Sequence, residues 1–149
     1  MTGPVFTYDP AKVIVNVAGY TISGIDTIDV KWHKPAFKEI PGIKGSSTRV
    51  RNLNTGCDIH LSLQKTSVSN DVFSSIVYGD RQYGTGQLHV SISDQSGSTI
   101  IVSITAYIEN FSDLTLSKKL DKTPWKIICQ TTTTDTVIGG NWTPSSNLF

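Results

Sequence analysis

Apolar and polar residues alternate with a period of two along most of this chain, the pattern of half-buried strands. Val13, Val15 and Val17 alternate with Lys12, Ile14 and Asn16, and Ile28, Val30 and Trp32 with Thr27, Asp29 and Lys31. Gly19 and the Ser23-Gly24 pair lie between these runs, so the two strands are expected to form an opening hairpin. Ile59, Leu61 and Leu63 alternate with Asp58, His60 and Ser62. Leu88, Val90 and Ile92 then lead through a turn at residues 93–98 into the longest run, where Ile100, Val102, Ile104, Ala106 and Ile108 alternate with Thr99, Ile101, Ser103, Thr105 and Tyr107. These two runs predict a second hairpin, with one Ser/Thr/Tyr-rich face turned to a wet surface or a neighbouring subunit. A last strand over residues 125–130 is expected to continue through the threonines to Val137 and to end at Gly139-Gly140.

The period changes once. Val72, Phe73, Ile76 and Val77 fall at i, i+1, i+4 and i+5, an apolar stripe on one side of a helix. Ser67 or Ser69 is the expected cap, Asp71 suits the positive helix end, and Gly79 is the expected stop. One amphipathic helix among strands must pack on a sheet, so the pattern predicts a mainly β domain with one packed α-helix, spanning residues 1–149.

Residues 31–51 break the pattern. They hold six cations (Lys31, Lys34, Lys38, Lys44, Arg49, Arg51) and one acid, Glu39. Pro35, Pro41, Gly42 and Gly45 are expected to interrupt regular structure there, leaving a long loop at about 33–48 before a strand resumes at Arg49-Val50-Arg51. Phe37, Ile40 and Ile43 are poorly suited to a merely solvated loop and need something to pack on. Three readings are open: a nucleic-acid contact, an arm reaching a neighbouring subunit, or a solvated loop. The arm is preferred, with Lys34, Phe37, Lys38, Ile40, Ile43, Lys44, Arg49 and Arg51 as candidate inter-subunit or inter-ring contacts. The end of the sequence, at about 141–149, reads as an irregular tail whose Trp142, Leu148 and Phe149 are expected to dock on the same chain or a neighbour.

Composition narrows the partners. Charged residues are 17%, and 17 Ser and 18 Thr occupy the space they leave, favouring strands and turns. A net charge of +1 gives no global pull toward nucleic acid or anionic membrane. No apolar run is long enough for a membrane span, and the first ten residues lack the basic start and apolar centre of a secretory signal. Cys57 and Cys129 have no metal-type spacing and read as two buried, reduced thiols. His33, His60 and His89 sit on separate segments, Asp26 and Asp29 are not one strand period apart, and the Gly84 and Gly86 pair is not flanked as a phosphate loop requires. No catalytic residue, cofactor or metal is therefore assigned, and an enzyme is not expected.

The order Tyr8-Asp9-Pro10, Val17-Ala18-Gly19, Ile22-Ser23-Gly24, Thr48-Arg49-Val50-Arg51-Asn52, and then residues 61–71 with their Thr-Ser-x-Ser-Asn-Asp run, resembles the tail tube (inner tube) proteins of contractile-tailed bacteriophages. The resemblance spans roughly residues 5–140. It implies a small β-barrel or two-sheet sandwich with one helix packed outside, six copies per ring, and rings stacked into a hollow tube. The implied partners are further copies of the chain, sheath, baseplate or initiator and tape-measure proteins, and double-stranded DNA that passes without specific binding. The implied location is the virion tail, assembled in the host bacterial cytoplasm. The basic loop is then expected to face other subunits, around a neutral or acidic lumen. Two alternatives predict different behaviour. A type VI secretion tube shares the ring, whereas a monomeric carbohydrate-binding sandwich would present Trp32, Trp125 and Trp142 to sugar rings.

Overall fold

The computed structural model describes residues 6–7, 9–84, 86–95, 97–133, 136–139 and 143–144. Short strand β1 (Phe6–Thr7) leads to a 3-10 turn at Pro10–Lys12, where the Asp9 carboxylate accepts the Ala11 amide. Strands β2 (Val13–Val17), β3 (Tyr20–Thr21) and β4 (Ile25–Trp32) follow, then β5 (Phe37–Pro41) and β6 (Ser47–Arg51). Strand β7 (Cys57–Gln64) enters helix α1 (Ser69–Tyr83), and β8 (Leu88–Asp94), β9 (Ile100–Ile108), β10 (Lys122–Cys129) and β11 (Thr143–Pro144) complete the chain. Seven strands form one antiparallel sheet in the order β3-β2-β8-β9-β10-β7-β4, while β5-β6 and β1-β11 pair separately. The mainly β architecture with one helix matches the expectation, although the ring of hydrogen bonds does not close into a barrel.

The expected opening hairpin is absent. Strand β2 pairs with β3 and β8, whereas β4 pairs with β7, so the two runs lie toward opposite margins of the sheet. Alternation shows which face a strand buries but not which partner it takes, and here the partners come from distant sequence. The sheet curls until the inner faces of both margins meet across one groove, where Ile25, Ile28 and Val30 of β4 face Val13, Ile92 and Ile101.

Strand β9 departs from the expected alternation for a local reason. Leu88 pairs with Ala106 but Val90 pairs with Ser103, so β9 carries one extra residue between these pairs. Such a bulge inverts the inward face. Ile101 and Ser103 are buried before it and Ala106 and Ile108 after it, leaving Ile100 and Ile104 exposed. The inward Ser103 hydroxyl donates to the Thr131 carbonyl at 2.6 Å, which satisfies its burial. The last strand also ends earlier than expected, at Cys129, and Val137 returns only as an isolated bridge to Ile100.

Helix α1 buries Phe73 and Val77 of the expected stripe, with Val72 and Ile76 half-buried. Phe73 meets Trp125 edge-on, with ring centroids 5.3 Å apart. The helix runs through Gly79 and stops at Gly84, whose φ of +66° is a left-handed cap that glycine adopts without strain. Gly79 has open space around it and costs the helix only propensity. Val68 occupies the cap position without a side-chain bond, while the Ser67 hydroxyl accepts the Ser69 amide at 3.2 Å.

Cys57 and Cys129 are opposed on β7 and β10, both buried and unbridged. Contact with the Cys129 thiol, then burial, pushes the Cys57 thiol above its ordinary range. The tail expectation for Trp142, Leu148 and Phe149 lies outside the described residues, though the Thr143–Pro144 backbone pairs with Phe6–Thr7.

Two outcomes test this core. Phe73→Ala, made at a fully buried site, is expected to lower unfolding free energy by about 3–5 kcal/mol in urea titration. In the native protein neither cysteine should react with a thiol reagent, and both should react once denaturant unfolds the chain; rapid native labelling would contradict the packing around β7 and β10.

Candidate assembly surface

The basic segment is not an irregular loop but a hairpin arm. Strands β5 and β6 pair in register from Phe37 with Arg51 to Pro41 with Ser47, so Pro41 is the last residue of a strand. Proline is tolerated at the end of a two-stranded ribbon because its missing donor can face water. The turn is closed by the Gly42 amide on the Ser46 carbonyl at 2.5 Å, and the base by the Asn52 amide on the Ala36 carbonyl at 2.7 Å. All residues from Lys31 to Arg51 are exposed.

The register gives the arm two unlike faces. Phe37, Glu39, Arg49 and Arg51 share one face with Pro41, and the Arg49 guanidinium lies 3.9 Å from the Phe37 ring centroid. Charge on this face is partly answered within the hairpin, by Glu39 opposite Arg49 and by the ring beneath it. Lys38, Ile40, Thr48 and Val50 form the second face, and Ile43 and Lys44 lie in the turn. Ile43 is fully exposed. Of the expected contact residues, seven therefore belong to the hairpin, while Lys34 sits at its root beside Trp32, Asn52 and Thr132. Val50, outside the expected set, is exposed on the second face; its signal was the period-two spacing with Thr48.

The root is tightly built. The Asn52 carboxamide accepts the Asn54 amide and the Asn54 carboxamide accepts the Gly56 amide, both at 2.9 Å, turning the chain back into β7. Thr132 closes over Thr55 through its amide at 3.3 Å and its hydroxyl at 2.9 Å. The His33 amide donates to the Gly56 carbonyl, and His33 Nε2 lies 2.6 Å from Asp58 Oδ1. A Cβ on Gly56 would stand 2.7 and 2.8 Å from the Gln130 and Cys129 carbonyl oxygens and 2.6 Å from the His33 ring.

Behind the arm, the sheet turns a polar face away from the core. Asp29, His60 and Lys126 are cross-strand neighbours on it, as are Lys31 and Asp58. Lys126 Nζ lies 3.3 Å from Glu109 and 3.8 Å from Asp58, so its charge is answered on both sides. Among the described residues no group of three or more His, Cys, Asp or Glu side chains is placed to hold a metal. Gly84 and Gly86 belong to the helix end, where the Gly86 amide donates to the Asp80 carboxylate at 2.9 Å. Trp125 is buried with its indole N–H on Asn70, which removes it from the expected sugar platform; Trp32 remains exposed.

No protein-family model matches the chain. It is 31% identical over 145 residues to structural protein ORF10 of Pseudomonas phage KPP10, an alignment covering 90% of this chain and 83% of that protein. Its fold is similar to the tube-terminating cap of the anti-feeding prophage, with a TM-score of 0.55 at 10% identity over 89% of this chain and 93% of that one. It is similar to a chain of the sheath–tube complex of an extracellular contractile injection system in the extended state, with a TM-score of 0.55 at 13% identity over 85% and 90%. A sheath/tube terminator of such a system aligns with a TM-score of 0.50 at 11% identity over 87% and 96%. At these identities the likeness is one of fold.

Gly56→Ala tests the root. Crowding against two backbone carbonyls is expected to cost about 1–3 kcal/mol in thermal or urea unfolding, and a neutral result would show that the arm's anchorage is looser than this geometry.

Proposed function

Because the chain belongs to the family of structural protein ORF10 of Pseudomonas phage KPP10, we infer that it is an inner-tube subunit of a contractile phage tail. Six copies form a ring, rings stack into a hollow tube, and the tube guides the genome during delivery. The observation that carries this reading is the arm: its apolar residues are exposed along its whole length, and a neighbouring copy would cover them. Heterologous contacts between identical subunits build rings and stacks. The open margin of β4 supports the same reading, since an unpaired edge invites pairing with another chain.

In this tube the arm's cations face other subunits, and the outward face of β4, β7 and β10 lines the lumen. Each lysine that neutralises a phosphate adds affinity and resists passage. Lys126 held between Glu109 and Asp58 has its charge occupied, which suits a bore that lets DNA slide. Sheath, baseplate or initiator and tape-measure proteins are the other partners, and the virion tail is the location.

A second reading is a terminator that closes the tube, because the fold matches include a cap and a terminator protein. Negative-stain microscopy of the concentrated protein distinguishes them. A tube subunit gives stacked rings of uniform bore that lengthen with concentration, whereas a terminator gives single rings. Monomers at every concentration, with a sugar-dependent melting shift, would overturn both in favour of a binding module.

A further inference from the structure

The groove between the two margins of the curled sheet has a volume of about 420 Å³. Half-buried Ile25, Ile28 and Val30 form one wall, and buried Ile92 and Ile101 line it from across the sheet. The charged residues lining it are both acidic, Asp26 and Asp94. Asp26 is paired with Lys122 at 2.5 Å, which offsets part of this negative charge.

We propose that this groove receives the tip of the hairpin arm from the next copy of the chain, with Ile43 and Ile40 on its apolar walls and Lys44 and Lys38 toward its acidic side. The proposal deepens the tube reading and rests on it. Three observations select this occupant. The hairpin and its root, residues 33–51, carry five cations and one acid, a net +4, while the rest of the chain carries eight cations and eleven acids, a net −3, which together give the observed +1. The arm and the groove are thus complementary in both charge and polarity. Second, the arm is exposed throughout, so it does not fill the groove of its own copy. Third, donor and acceptor are offset along one strand: the groove flanks Ile25 to Val30, and the arm leaves β4 beyond Trp32. Because donor and acceptor are different patches of one chain, each copy can receive one neighbour and offer its arm to another, which is how a stack grows.

The test mixes two single variants, Ile43→Cys in the arm and Ile138→Cys at the exposed groove rim. The native thiols are buried and do not compete. A short bis-maleimide should yield a covalent heterodimer in the mixture and none in either variant alone. Ile43→Asp, at a site with no packing of its own, should leave melting unchanged and weaken assembly by about tenfold or more, because a carboxylate would enter an apolar and acidic groove. Three results overturn the proposal. If rings stack without cross-linking, the arm docks elsewhere and the tube reading stands. If the thiol of the Ile138→Cys variant is shielded at every dilution until residues 145–149 are deleted, the chain's own tail fills the groove. If the unmodified protein never assembles, the tube reading falls and takes this proposal with it.

Discussion

A cluster of hydrogen bonds at the start of the helix holds the rest of the molecule in register. The Trp125 indole donates to the Asn70 carboxamide oxygen at 2.9 Å, and the Asn70 amide nitrogen donates to the Gln64 and Ser67 carbonyls at 3.0 and 3.1 Å. The Ser69 hydroxyl accepts the Ser23 amide at 3.0 Å, and the Ser67 hydroxyl donates to the Ser23 carbonyl at 2.6 Å. Apolar burial is non-directional and would let the helix slide or rotate on the sheet. These bonds are directional, and at buried Ser69 and Trp125 a displaced partner would leave a desolvated polar group unpaired. They tie the turn before β4, the end of β7 and the middle of β10 to one helical turn, and so set Phe73 on Trp125.

From that fixed point the sheet curls without closing. Its margins are β3 with β2 on one side and β4 on the other, and β4 does two jobs. Its pairing with β7 anchors it in the core sheet, while its far end launches the arm through a root in which Gly56 admits His33 and two carbonyls. A hydrogen-bonded root under an exposed hairpin fixes where the arm projects from the sheet. The sparse charge of the chain is correspondingly sorted, cations on the arm and acids on the body. That sorting favours ordered association over non-specific clumping.

Much of this was legible in the residues. The strands around Val15, Ile59, Val90 and Ile127 and the stripe through Phe73 were visible because burial on one face leaves a periodic trace. The exposed basic segment stood out because cations and aliphatics cluster where no strand pattern organises them. Its hairpin form was not, since Pro41, Gly42 and Gly45 read as breakers although Pro41 ends a strand and the glycines belong to a two-strand turn. The β9 bulge was equally hidden, because Ile100, Val102 and Ile104 alternate well with a sequence that is itself rich in isoleucine.

The chain by itself therefore determined where the main core strands and the helix lie and which segment is basic, all local properties that periodicity and composition record. Only the tertiary structure decided that β2 and β4 sit toward opposite margins, that β9 changes face midway, and that the distant Cys57 and Cys129 lie side by side. The physical reason is that strand pairing is a choice among nearly equivalent apolar faces. That choice is made by the helix contacts, the serine and asparagine bonds at its start and the fit of whole surfaces, none of which leaves a mark on any one segment.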